Sequence, residues 1–192
     1  MKHLIYIFIL FPIFVIGQSS GNTNSQKEEV SVNKELSKKL GNTTSITSNF
    51  NSKVIFAYAN QSEQLITEFF AYLTLYNQSE TSDLQKEIDK SIQQMFLSET
   101  TLIEDFINGT NKKITLIQFL KYCKENKFVV SISNIQNNAV NANNFDMKYQ
   151  LLVTNKSVTK SYNLTQKVYL FPVEKTFGTA KKMVWELKLG EF

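Results

Sequence analysis

The feature that most constrains this chain is a change of hydrophobic period at Asn126. Downstream of it, apolar residues recur every second position. "FDMKYQLLV" (145–153) sets Phe145, Met147, Tyr149, Leu151 and Val153 on one face and Asp146, Lys148 and Gln150 on the other. That is the signature of a strand with one buried and one wet face. "FVVSISNI" (128–135), "KSYNLTQKVYLF" (160–171) and "KKMVWELKLG" (181–190) repeat it, the last two with Tyr162, Leu164, Val168, Leu170 and Met183, Trp185, Leu187, Leu189 as their apolar rows. Upstream the spacing is three and four. "NQSEQLITEFFAYLTLYN" (60–77) carries Leu65, Ile66, Phe69, Phe70, Leu73 and Tyr76; "SDLQKEIDKSIQQMF" (82–96) carries Leu84, Ile88, Ile92, Met95 and Phe96. Between this pair and a third helical segment, "TLIQFLKYCKEN" (115–126), "TLIEDFI" reads as a short strand closed by the turn dipeptide Asn108-Gly109. Asn60 with Glu63, Ser82 with Gln85 and Thr115 with Gln118 are each spaced as a helix-capping pair.

Strands joined by short polar loops ("QNNAVNANN", "NKSVT", "EKTFGTA") pair antiparallel, because parallel pairing needs long crossovers. Only the helices supply apolar surface to cover the buried face. The predicted fold class is therefore α+β, three N-terminal helices packed on an antiparallel sheet. Pro172 lacks a ladder donor and is expected at a bulge, a strand end or an exposed edge. The domain is expected to span residues 54–192.

The start of the chain has a different character. Lys2 and His3 precede an apolar run from Leu4 to Ile16, and Val15 and Gly17 are small enough for a cleavage site before Gln18. This is the pattern of a signal peptide (1–17), and the run is short for a membrane span of roughly 20 residues. An uncleaved anchor is the rival reading. Residues 18–53, rich in Ser, Asn, Thr and Lys, form a polar tether. The expected location is exported, periplasmic or secreted, with no integral membrane segment once the leader is removed.

Composition narrows the chemistry. His3 is the only histidine and falls in the leader, which disfavours Ser-His-Asp, Cys-His and His-zinc sites in the mature protein. Cys123 is the only cysteine, so no intramolecular disulfide can form, and its helical setting reads as a small core residue. All 21 basic residues are lysines; a nucleic-acid reader normally uses arginine forks, so no nucleic acid is expected. Gly-rich phosphate loops and acidic metal clusters are absent, so no cofactor or metal is expected. Six Asn-X-Ser/Thr sequons, at Asn42, Asn60, Asn77, Asn108, Asn155 and Asn163, are weak evidence of glycosylation, because a chain this rich in Asn, Ser and Thr yields several by chance.

This order of elements resembles the NTF2-like (cystatin-like cone) superfamily. "MFLSETTLIEDF" looks like the junction from second helix to first short strand, and "EKTFGTAKKMVWELKLG" like the last hairpin. The resemblance covers nearly all of residues 54–192. It implies a curved sheet forming a cone around the helices, either open for a small apolar ligand or filled and acting by protein contact, with a homodimer through the sheet as a further option. Ligand-lining candidates are Tyr72, Phe119, Tyr149, Tyr162 and Trp185; filling a sheet–helix core explains the same aromatics. The leading expectation is an exported non-catalytic binding module for a protein partner or a small apolar ligand. The alternative is a cofactor-free isomerase or lyase, with Glu104 or Asp105 as base and Tyr72 as acid. The residues alone favour the plainer reading, with Tyr72 at the core's edge and both carboxylates in water beside a turn.

Overall fold

The computed structural model describes residues 45–79, 81–110 and 112–192. The chain runs α1 (Ile46–Asn49), α2 (Ser52–Gln78), α3 (Ser82–Met95), β1 (Leu102–Glu104), β2 (Lys113–Thr115), α4 (Leu116–Glu125), β3 (Phe128–Val140), β4 (Asn144–Asn155), β5 (Val158–Phe177) and β6 (Ala180–Leu189). It is an α+β fold with a four-stranded antiparallel sheet in the order β3-β4-β5-β6 and a small antiparallel pair, β1-β2.

The helix starts follow local chemistry, though not always where the spacing put them. Asn60 does not begin a helix; it lies well inside α2, whose cap is Asn51, accepting from the Val54 N–H at 3.1 Å. The weak apolar spacing of residues 52–59 hid this extension. Thr115 and Gln118 do form a reciprocal capping box at α4. At α3 the cap is Thr81 without a side-chain bond, and Gln85 reaches back to the Ser79 carbonyl instead.

Packing begins upstream of Val54. Ile46 is 1% exposed and donates its N–H to the Ala142 carbonyl at 2.7 Å, and Phe50 packs edge-on against Trp185 at 4.8 Å. The expected leader and the tether up to residue 44 lie outside the described residues.

All four long strands stand where the two-residue period placed them, and β3, β4 and β5 run longer. β5 pairs with β4 from Val158 to Tyr169 and with β6 from Val168 to Phe177, so the expected loop 174–180 shrinks to a tight turn at Gly178, whose φ is 62°. Main-chain ladders continue into solvent without an apolar side-chain pattern to announce them. Pro172 sits opposite Trp185 where β5 has left β4 behind. The Leu170 N–H points to the β4 side, reaching the Asn143 carbonyl at 2.9 Å, so the Pro172 nitrogen faces that same vacated side and no ladder bond is lost.

"TLIEDFI" is strand only over Leu102–Glu104; Asp105 onward is turn. The small pair joins the main sheet through the end of the chain. Phe192 donates its N–H to the Leu102 carbonyl and accepts from the Glu104 N–H at 3.0 Å. Between sheet and helices lies the core, centred on Phe69, Phe119, Phe145, Met147 and Leu151, all fully buried.

Candidate functional site

The strands aim the candidate residues at different places. Phe119, Tyr149 and Tyr162 converge. Phe119 meets Phe106 at 5.0 Å, Phe106 meets Tyr162 at 6.4 Å, and Phe70 bridges Phe106 to Tyr149 at 5.7 Å. Trp185 stands apart, packed on Phe50, which in turn meets Tyr58 at 5.3 Å. Tyr72 is partly buried at the margin of the core.

The polar ends of these rings are occupied by the protein itself. Tyr149, 3% exposed, donates its hydroxyl to Gln166 Oε1 at 3.0 Å, and Gln166 Nε2 donates to the Gly190 carbonyl at 3.4 Å. Gln166 has no exposed surface, although it stands in the apolar row between Leu164 and Val168. Burial, with a contribution from the Glu104 charge, pushes the Tyr149 phenol well above its usual range, so it stays a neutral donor. Tyr162 donates to the Phe106 carbonyl at 3.2 Å; burial, then Glu104 and Asp105, raise its phenol too.

Asp105 is 3% exposed, contrary to its expected place in water, because its carboxylate organises the turn it begins. One oxygen accepts from the Asn108 N–H at 3.1 Å, both accept from Asn108 Nδ2, and the second accepts from Thr110 Oγ1 at 3.0 Å. Gly109, at φ 62°, completes that turn: a Cβ there would stand 2.5 Å from Lys160 Nζ and 3.2 Å from the Tyr162 hydroxyl. A base must have an oxygen turned to a substrate proton; both oxygens of Asp105 are turned to its own loop. Glu104 is partly buried in β1.

Ionic chemistry gathers on the opposite face of the same strands. Lys167 pairs with Glu191 at 2.6 Å, and Tyr169 donates to Glu191 at 3.3 Å. Burial acts to raise the Glu191 carboxyl, but the hydrogen bond and charge of Lys167 hold it below its ordinary value; the same bond raises Lys167.

Cys123 is buried between helices, its thiol pushed up first by burial and then by Asp89. Tyr76 is raised by the same two causes, and Asp89 is paired with Lys124 at 3.0 Å. Among the described residues, no group of three or more His, Cys, Asp or Glu could hold a metal, and no helix is long and apolar enough to cross a membrane.

Two grooves open at the surface beside α2. One, of about 350 Å³, lies where the end of α2 meets the start of β3 and includes Asn77, Lys127, Val129 and Lys156. The other, of about 470 Å³, lies by the start of α2 and includes Phe56, Glu63, Gln136 and Asn137. Asn77 is 9% exposed, accepts from the Phe128 N–H through Oδ1 at 3.4 Å, and has no acceptor for its buried Nδ2. Its main-chain carbonyl accepts from Lys127 Nζ at 2.6 Å.

Neither grooves nor Gln166 were singled out from the sequence. Gln166 was detectable, as a polar residue in an alternating apolar row; Lys127 and Lys156 carry no such mark. The outer sheet face is largely polar, with Ser133, Gln150 and Ser161 hydrogen-bonded across three strands and Val129 and Leu152 as exposed apolar residues. Comparison with known proteins finds no matching family model, no matching curated protein and no matching solved structure.

Proposed function

We propose that this chain is a non-catalytic binding module of NTF2-like type that works outside the cytosol and engages a protein partner through its surface. The observation that carries the reading is the occupancy of the interior. Phe69, Phe106, Phe119, Tyr149 and Phe192 fill the space between sheet and helices, each 3% exposed or less. A small apolar ligand would have to displace these rings, each of which contributes on the order of kilocalories through burial. The turn-bound carboxylate of Asp105 supports the same reading against the isomerase alternative. The family reading rests on the helix pair, the short strand, the third helix and the four-stranded antiparallel sheet in that order. Work outside the cytosol is inferred from the apolar run Leu4 to Ile16.

Proton abstraction next to a carbonyl is a general readout of the isomerase alternative. The chain is incubated with cyclic and aromatic ketones in deuterium oxide, and exchange at the α-carbon is followed by NMR. The expected rate equals that of buffer, and the same ketones leave the melting temperature unchanged. Exchange that depends on the protein and disappears in Glu104→Gln or Asp105→Asn would overturn the proposal in favour of an enzyme.

A further inference from the structure

β3 is the terminal strand of the main sheet, and its two halves are built differently. Its register with β4 is unbroken from Phe128 to Ser133; shifts then follow between Ser133 and Gln136 and between Asn137 and Ala139, with Asn134 at φ 57°. Bulges of this kind bend an edge and deter pairing with another chain. The first half has no bulge and no proline.

The direction of its backbone groups can be read from Phe128. That N–H points away from β4, to Asn77 Oδ1 on α2. Donors two residues apart point the same way along a strand, so the Val130 and Ile132 N–H groups also point away from β4. No backbone hydrogen bond from outside the ladder reaches either one among the described residues.

This stretch of edge lies between the two grooves, both walled by α2. At the Phe128 end stand Lys127 and Lys156, and neither is paired with a carboxylate among the described residues. Lys127 holds the last turn of α2 with one donor, and an ammonium carries three; Lys156 is exposed in the β4–β5 turn. The unmatched buried amide nitrogen of Asn77 lies in the same groove and also calls for an acceptor. At the far end, Phe56 is 67% exposed.

We infer that the β3 edge from Phe128 to Ser133 is the docking surface for an extended, acidic segment of a partner protein, which adds a strand to the sheet at Val130 and Ile132 and sets a carboxylate beside Lys127 and Lys156. The inference rests on the binding-module reading above and names its surface. Main-chain bonds supply the pairing and the lysines supply the charge preference, as in other cases of strand addition. An acidic segment is favoured over a basic one because, among the described residues, Glu63 is the only acid that lines either groove, and it lies at the far one.

The test selects 12-residue peptides from a random displayed library on the full chain, then titrates synthetic versions into ¹⁵N-labelled protein. Selected peptides should be rich in Asp and Glu next to alternating β-branched residues, and should slow amide exchange at Val130 and Ile132 at least tenfold. Lys156→Glu, on an exposed turn, should weaken binding at least fivefold while leaving the melting curve in place; Ile132→Pro should abolish it. Peptides that bind but leave those two amides unchanged would overturn the edge assignment and leave the binding-module reading standing. Protection that rises with protein concentration without peptide would overturn it too, making the occupant a second copy. Failure to select any peptide also overturns it, without bearing on the exchange assay with ketones.

Discussion

Gln166 and Lys167 are neighbours in β5, yet their side chains lie on opposite faces of one sheet and obey opposite electrostatics. Gln166 has no exposed surface and joins Tyr149 to Gly190 through neutral hydrogen bonds. Lys167 stands across from Asp146 and pairs with Glu191 in partial contact with water. The difference teaches where charge is tolerated. On the inner face an ion would lose its hydration with nothing to replace it, so an amide does the polar work. On the outer face water screens the ions, and their pairing is correspondingly weak.

Five substitutions break or sharpen that contrast. Phe69→Ala empties the centre of the inner layer, where Phe69 touches Phe70, Phe96, Phe119 and Phe192. It should cost about 3–5 kcal/mol in urea unfolding. Trp185 belongs to the same inward row but lies towards the projecting β5–β6 hairpin and is only partly buried, so Trp185→Ala should cost about 2–3 kcal/mol, less than a fully buried aromatic. A loss equal to that of Phe69→Ala would place it in the main core.

Gln166→Leu keeps the volume but strands the Tyr149 hydroxyl, at about 1–2 kcal/mol. Adding Tyr149→Phe should recover part of that loss, since no orphaned hydroxyl is left. A double variant with the full sum of the two single losses would refute the network.

The smallest effect belongs to the outer face. Glu191→Gln should cost about 0.5 kcal/mol after allowance for solvent screening, and less at high salt. Its sign with pH follows from the lowered carboxyl. The stabilisation is present above the ordinary carboxylate range and disappears as pH falls through the folded-state value, so variant and parent should converge in acid. Lys167 is raised, so its share is present below the ordinary lysine value and is lost as pH climbs through the higher folded one. Melts at pH 3, 7 and 11 that stay parallel would remove this pair from the account.

Much of this architecture was legible beforehand because it rests on local rules. Alternation along Phe145–Val153 marked a strand with a buried face, and all five apolar residues of that face, Phe145, Met147, Tyr149, Leu151 and Val153, are buried. The spacing of Thr115 and Gln118 marked a helix start. Where the forecast slipped, a non-local partner was responsible. β2, Lys113–Thr115, exists because β1 lies beside it, and nothing in "KIT" announces that. Asp105 looked solvated because an acid beside Asn-Gly usually is; here it turns inward to three donors of its own loop. Phe50 looked like tether until Trp185 supplied a surface for it. The edge of β3 illustrates the same limit, since strand order alone decides which backbone donors lack a neighbour.

The order of residues alone determined the class of fold: side-chain period sets which face of each element must leave water, and that requires helices against an antiparallel sheet. Tertiary structure decided the rest. It packed Phe119 and Tyr149 into the interior, left Tyr72, Tyr162 and Trp185 partly buried, and turned the Asp105 carboxylate onto its own loop. These outcomes depend on which distant groups meet, and burial energy rewards any close-packed meeting of apolar groups without naming its members in the local pattern.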